Sequence, residues 1–166
     1  MELNKIPQPS IEEFRKQKEI FETECTPPYS VKVRLKSASN NGIFIDIPQI
    51  KKLASYLNQD WDNVHPPKDC DGAIVDADSK TIYLIELKRS KNAATPKSIE
   101  EQLDAGMHWL RHIAFCVNMD LEGYQIVKVV AIVNGNRSRT REYKIGDRGY
   151  YRVNGNSIMC DYFVFE

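Results

Sequence analysis

The sequence lacks the features that mark several large classes of protein. Its four cysteines show no CxxC or CxxH spacing, which argues against a zinc site and predicts a reducing compartment. The first residues contain no apolar signal-peptide core, and no run approaches the length of a membrane helix, so we expect a cytoplasmic protein without a membrane partner. We also find no repeat, low-complexity tract or linker, which predicts one domain over residues 1–166.

A surplus of charge of either sign is also missing. The 23 basic and 23 acidic residues cancel, so the whole molecule is not expected to be drawn to nucleic acid by its net charge. Any surface that binds phosphate must therefore be a local patch. The hydrophobic content of 42% and the charged content of 28% are ordinary for a globular domain.

The first part of the chain is predicted to contain helices and a strand pair. Ser10 begins a capping box, and the apolar spacing after it predicts a helix over about 10–24. Alternating residues predict a strand over 29–36, and a turn then leads to a returning strand over 43–47. A short amphipathic helix is expected over 50–58.

The second part of the chain gives stronger patterns. A long amphipathic helix is predicted over 95–117. The strand 125–134 is apolar on nearly both faces, as expected for a central strand covered on both sides. Weaker strands are expected near 143–145, 150–153 and 157–165. This order of elements predicts an α/β fold in which a mixed central sheet is flanked by helices.

A hairpin between these two parts contains the candidate functional residues. Two strand-like runs, 71–76 and 81–89, flank a polar turn. Because side chains alternate along a strand, Glu86 and Lys88 share one face at the end of the second run. Closing the hairpin brings Asp71 beside them. Burying such charges is costly unless they are paired or bind a metal, so their convergence predicts an ion pair or a metal site.

This arrangement resembles the PD-(D/E)xK nuclease superfamily. The resemblance covers roughly residues 66–118: Asp71 begins a strand, an apolar strand runs into Glu86 and Lys88, and an amphipathic helix follows. It departs at Cys70, where the family pattern has proline. The resemblance implies a restriction-endonuclease-like core with a mixed central sheet flanked by helices.

The resemblance also implies a role for each residue of the motif. Asp71 and Glu86 would bind Mg²⁺, for which Mn²⁺ would substitute, and the backbone carbonyl of Leu87 would join them. Lys88 would position or activate the attacking water, and Gln102 would face the metal from the following helix. The expected activity is therefore that of a Mg²⁺-dependent endodeoxyribonuclease that hydrolyses phosphodiester bonds.

Other residues near the motif have more than one interpretation. Arg89 and Lys91 are candidate contacts to a nucleic-acid backbone, although a solvated loop explains them nearly as well. Some relatives add an acid from an N-terminal helix, for which Glu13 and Glu24 are the candidates, but Glu13 is explained equally well as part of the cap. The expected partner is nucleic acid, with DNA favoured, and a homodimer would let two sites address two strands.

Two other pairs of polar residues have structural interpretations. His108 and His112 lie one helical turn apart, but an exposed helix face explains them better than a metal pair does. Asp76 and Asp78 are interpreted as turn residues. The alternative function is a non-cleaving module on the same fold that binds nucleic acid or protein, and the complete acid–acid–lysine motif favours the nuclease over it.

Overall fold

A computed structural model describes residues 11–14, 17–22, 26–36, 38–54, 67–134 and 143–165. Its strands, in chain order, are β1 (Ile11–Phe14), β2 (Gln17–Glu22), β3 (Tyr29–Arg34), β4 (Gly42–Ile45), β5 (Gly72–Asp76), β6 (Thr81–Lys88), β7 (Gln125–Ile132), β8 (Tyr151–Asn154) and β9 (Ser157–Met159). The helices are α1 (Ile47–Leu53), α2 (Pro96–Cys116) and a short 3₁₀ helix (Cys160–Tyr162). No helix within these ranges combines the length and the apolar character needed to cross a membrane.

The larger sheet has the strand order β1-β4-β5-β6-β7-β8. Neighbouring strands from β1 to β6 are antiparallel, whereas β6, β7 and β8 run parallel to one another. The predicted mixed α/β architecture is therefore confirmed. All of β5, and all of β6 except its last residue, is buried, as expected for apolar strands in the middle of a sheet with both faces covered.

The two faces of this sheet are covered differently. On one face, apolar residues of the sheet pack with α1 and α2. On the other face they pack with a three-stranded sheet of order β2-β3-β9. The expectation of flanking helices therefore holds for one face only, because among the described residues the second face is covered by strands. Strand β7 contributes residues to both packed faces, which confirms its predicted central place.

The predicted helix over 10–24 is wrong. The segment forms β1, which pairs antiparallel with β4, and β2, which pairs antiparallel with β3. A helical stripe would have buried Phe21, which is 62% exposed, while its neighbour Ile20 is only 2% exposed. The local capping signal is overridden because β1 pairs with β4, which lies beyond two other strands in the sequence, and β2 pairs with β3, the next strand of the chain. The capping residue Ser10 itself lies outside the described residues.

The predicted pairing of strands 29–36 and 43–47 is also wrong. Strand β3 lies between β2 and β9 in the small sheet, whereas β4 lies between β1 and β5 in the large one. The burial of the two strands explains their separation. Every residue of β4 is buried, which suits an inner strand of the large sheet, whereas β3 alternates and leaves one face open to solvent.

The remaining helix and strand predictions differ from the structure mainly at their ends. Helix α1 begins three residues earlier than expected because Asp46 caps it and accepts a hydrogen bond from the Gln49 N–H at 2.9 Å. The predicted strand at 150–153 is β8, while 143–145 forms only isolated bridges. The predicted strand over 157–165 is shortened to β9 and the 3₁₀ helix.

Helix α2 lies unusually close to the chain that enters β5. It begins where predicted, with the Thr95 hydroxyl accepting a hydrogen bond from the Ser98 N–H at 3.2 Å. A Cβ atom on Gly106 would lie only 2.2 Å from the Sγ atom of Cys70. Glycine is therefore required for this close approach, which holds the middle of α2 against the residues that lead into β5.

Candidate active site

The candidate site lies at the open end of the β5–β6 hairpin. The register pairs Gly72 with Ile85, so one step further along both strands Asp71 lies opposite Glu86. Lys88 follows two residues later on the same face. The alternation predicted for β6 is confirmed, since residues on this face pack against the helices and those between them pack against the small sheet.

Asp71 is tied to the end of β6 through the backbone. Its Oδ2 atom accepts a hydrogen bond from the Leu87 N–H at 2.5 Å. Burial, and then the negative charge of Glu86, raise the pKa of Asp71 well above its ordinary value. The structure therefore brings Asp71 and Glu86 close enough for the charge of one to disfavour ionisation of the other.

Glu86 is the most deeply buried acid of the site, with 2% of its surface exposed. Its Oε1 atom accepts a hydrogen bond from Lys88 Nζ, while its Oε2 atom finds no partner among the described residues. Burial raises the pKa of Glu86 to about 7, although the charge of Lys88 acts in the opposite direction. A buried acceptor without a hydrogen bond lowers the stability of the fold by about 1–3 kcal/mol, so binding a proton or a cation at Glu86 would be favourable.

Gln102 presents a second unpaired acceptor. It lies in the second turn of α2, and its Oε1 atom is buried without a hydrogen-bond partner in the described part of the chain. Gln102 and Glu86 line the same cleft. A bound cation would provide a partner for these two buried oxygen atoms, which belong to residues that line one cleft.

The cleft around these residues has a volume of about 420 Å³ and is rich in charge. Its carboxylates come from five elements or segments and are Glu12, Glu19, Glu22, Asp46, Asp69, Asp71 and Glu86. Its described basic residues are Lys18, Lys51, Lys52 and Lys88. Two of these lysines are held in other ion pairs, Lys51 with Asp69 and Lys18 with Glu12. The excess of acids gives the cleft a negative character that favours a cation.

The donor set suits a hard divalent cation that keeps several water ligands. Within the described ranges, no three His, Cys, Asp or Glu side chains converge into a preformed metal site. Mg²⁺, however, is commonly bound by only one or two carboxylates together with water and substrate phosphate. Asp71 and Glu86 meet that requirement. The Leu87 carbonyl lies at the same hairpin end, where it accepts a long hydrogen bond of 3.3 Å from the Tyr29 hydroxyl.

The N-terminal acid of the site is one that the sequence analysis missed. Glu13 is exposed in β1 and is not part of the described cleft lining, and Glu24 lies outside the described residues. Instead, Glu22 at the end of β2 lines the cleft, and its charge contributes to raising the pKa of both Asp71 and Glu86. Strand periodicity would have placed Glu22 on the face of buried Ile20, but only once the segment had been interpreted as a strand.

The two residues predicted to contact nucleic acid, Arg89 and Lys91, are not part of the described cleft lining. Arg89 donates hydrogen bonds to the carbonyls of Thr26 (3.0 Å) and Pro27, and its guanidinium lies 5.5 Å from the ring centroid of Tyr29. These contacts anchor the segment before β3. Lys91 is exposed in the loop before α2. Neither belongs to the described cleft lining, so nucleic-acid binding by them stays a prediction.

The residues assigned a structural role behave as expected. His108 and His112 are both exposed on α2, and the ring of His112 packs edge-on against Trp109 with centroids 6.3 Å apart. Asp76 is fully buried and accepts a hydrogen bond of 2.6 Å from the Ser39 hydroxyl. Its interpretation as a turn residue is confirmed by its bonds to the turn itself.

Comparison with known proteins does not extend the family resemblance. No family model, curated protein or solved structure matches this chain. A function is therefore inferred from the chemistry of the cleft and from the placement of Asp71, Glu86 and Lys88 within it.

Proposed function

We propose that this chain is a metal-dependent nuclease that hydrolyses phosphodiester bonds in DNA, built on a restriction-endonuclease-like core. One observation carries the proposal: Glu86 is buried beside a second acid with one carboxylate oxygen unpaired among the described residues, on a cleft that also holds the unpaired Gln102 oxygen. A bound divalent cation would satisfy both oxygens. It would also neutralise the repulsion between Asp71 and Glu86.

A purely structural ion pair accounts less well for the same residues. The ammonium of Lys88 satisfies one oxygen of Glu86 and leaves two neighbouring acids with a single positive charge between them. Glu22 adds a further negative charge. Because unpaired buried charge is costly, a site with only a structural role would be expected to lose one of these acids.

Each residue of the candidate site would have a separate role in hydrolysis. Asp71, Glu86 and the Leu87 carbonyl would hold Mg²⁺ or Mn²⁺, which polarises the phosphate and lowers the pKa of a bound water. Lys88 forms an ion pair with Glu86, and its positive charge would stabilise the negative charge that develops on the phosphoryl oxygens. The amide of Gln102, which lines the same cleft, would orient a water or a phosphate oxygen.

The test combines metal binding with cleavage. Mn²⁺ titration by calorimetry should show binding to the wild type that Glu86→Gln and Asp71→Asn remove. Glu122→Gln is the matched control, because this exposed acid lies in the turn before β7, at the opposite end of the β6–β7 ladder from Glu86. Plasmid and oligonucleotide substrates of DNA and RNA should then be incubated with Mg²⁺, Mn²⁺ or EDTA.

Cleavage of DNA that requires the metal and is lost in Glu86→Gln would support the proposal. Metal binding without cleavage of any substrate would leave the non-cleaving module as the better description. If neither metal binding nor cleavage occurs, the ionisable residues of the cleft have only a structural role.

A further inference from the structure

The candidate site is recessed rather than presented on an open surface. Glu86 is 2% exposed, and the side chain of Lys88 is 16% exposed. The cleft above them, at about 420 Å³, has the size of a pocket for a small molecule or a single nucleotide. Duplex DNA behaves as a stiff rod over about 150 base pairs and does not bend into such a space without a large deformation energy. A phosphate on a flexible single strand meets no such barrier.

One wall of the cleft carries an exposed aromatic ring. The wall is formed by β2, an edge strand of the small sheet, and residues 18–22 all line the cleft. Phe21 within it is 62% exposed, whereas Phe44, the other aromatic residue of the described lining, is 5% exposed. Because side chains alternate along β2, the ring of Phe21 lies on the strand face opposite Ile20 and Glu22, toward solvent, where it remains available to a ligand. Its neighbour in sequence, Glu22, is close enough to Asp71 and Glu86 to affect the pKa of both.

The charge of the cleft also disfavours a duplex. Proteins that hold duplex DNA draw much of their affinity from many lysine and arginine contacts to phosphates. Here the described acids of the cleft outnumber its lysines, and the chain has a formal net charge of 0. Stacking of an unpaired base on an aromatic ring provides binding energy that does not depend on neutralising many phosphates.

From this geometry we infer that the substrate is an unpaired DNA strand, and that a base next to the scissile phosphate stacks on Phe21. This inference rests on the proposed nuclease function for the cleavage step, but its binding step is separate. Unpaired bases expose their faces for stacking, while those of a duplex are stacked on one another. Phe21 thus selects single strands, flaps or frayed ends over intact duplex.

Binding is measured without cleavage by using Glu86→Gln as the background. The probe is a short fluorescently labelled DNA strand, compared with a blunt duplex of the same sequence. We expect the single strand to bind more tightly, and the further change Phe21→Ala to weaken its binding by about 5- to 100-fold, the usual range for loss of a stacking aromatic. Phe21→Trp should retain binding. Phe115→Ala is the matched control, because Phe115 is 85% exposed on α2 and is not part of the described cleft lining.

Cleavage by the otherwise wild-type protein then separates the two proposals. Preference for single strands that Phe21→Ala removes would support the inference. Equal cleavage of duplex and single strand, unchanged in Phe21→Ala, would overturn it and leave the nuclease proposal standing. If nothing is cleaved but single-strand binding still depends on Phe21, the nuclease proposal fails and the stacking site stands. Equal binding of both probes, or no effect of Phe21→Ala, would overturn the stacking site.

Discussion

The two ends of the β5–β6 hairpin bury their acids in opposite ways. At the turn end, Asp76 is fully buried and accepts hydrogen bonds from the Ser39 and Ser79 hydroxyls and from the Asp78 and Ser79 N–H groups. At the open end, Glu86 is 2% exposed, and its Oε2 atom finds no donor in the described ranges. Asp76 and Glu86 are therefore buried to nearly the same extent, and they differ in the number of hydrogen-bond donors that reach them. An acid with a full set of donors stabilises the fold, whereas one without them is prepared for a ligand.

The largest effect is expected at the turn end. Asp76→Ala removes the common acceptor of four hydrogen bonds and leaves buried donors unpaired, so it should lower the free energy of unfolding by about 3–5 kcal/mol. Urea denaturation measures the loss. Asp78→Ala, which removes an exposed acceptor of one backbone N–H, is the control and should cost much less. A loss below about 1 kcal/mol in Asp76→Ala would show that the turn is not held by this acid.

At the open end, Lys88→Met tests whether the lysine serves turnover rather than stability. Methionine keeps most of the side-chain volume but removes the charge beside Glu86. We expect the cleavage rate to fall by about 100- to 1,000-fold, as when one group that stabilises transition-state charge is lost. The affinity for Mn²⁺ should be kept or increased, because the competing ammonium is gone. A large loss of metal affinity would instead make Lys88 part of the metal-binding structure.

How far the sequence predicts each end depends on how local the interactions are. Strand alternation and one hairpin register were enough to bring Asp71, Glu86 and Lys88 together, because these residues lie on neighbouring strands joined by a short turn. The N-terminal segment was predicted incorrectly, since β1 pairs with a strand that lies beyond β2 and β3 in the sequence, and the burial of β2 depends on how the small sheet packs against the large one.

The same error explains why the acid Glu22 and the exposed ring of Phe21 were not predicted as parts of the cleft. Their positions depend on how the small sheet packs against the large one, which no local pattern encodes. The unpaired oxygen of Glu86 could not be predicted either. Whether a buried acid finds hydrogen-bond donors depends on every segment that packs around it. From the sequence, the motif and its order on the chain were the only indication that one oxygen of Glu86 lacks them in the described part of the chain.

The dependence of stability on pH distinguishes the two ends without any assay of activity. Burial raises the pKa of Glu86 from 4.5 to about 7, so the folded protein binds a proton that the unfolded chain releases. The resulting stabilisation is complete below about pH 4.5 and is lost as the pH rises through about 7, and Asp71 contributes with the same sign. In EDTA, the free energy of unfolding should therefore fall by up to about 3 kcal/mol between about pH 5 and pH 8.

Urea denaturation across this pH range measures that loss. Glu86→Gln should flatten the curve and make the metal-free protein more stable than the wild type at about pH 8, because the amide carries no charge to desolvate. Glu122→Gln, an exposed change far along the β6–β7 ladder, should follow the wild type. Stability that rises with pH in the wild type, or a curve that Glu86→Gln leaves unchanged, would contradict the assignment of the buried proton to Glu86.

The smallest predicted effect is stabilisation of the folded protein by bound metal. One experiment tests both ends of the β5–β6 hairpin. A ligand that binds only the folded state at 100 times its Kd adds about 2.7 kcal/mol to the free energy of unfolding. Mn²⁺ should therefore raise the Tm of the wild type, and more so at about pH 8 than at about pH 6, because metal and proton compete for Glu86. Asp71→Asn and Glu86→Gln should abolish this shift. Asp78→Ala, altered only at the turn end, should keep it in full, and an equal loss of protection there would mean that the cation binds elsewhere than at the open end of the hairpin.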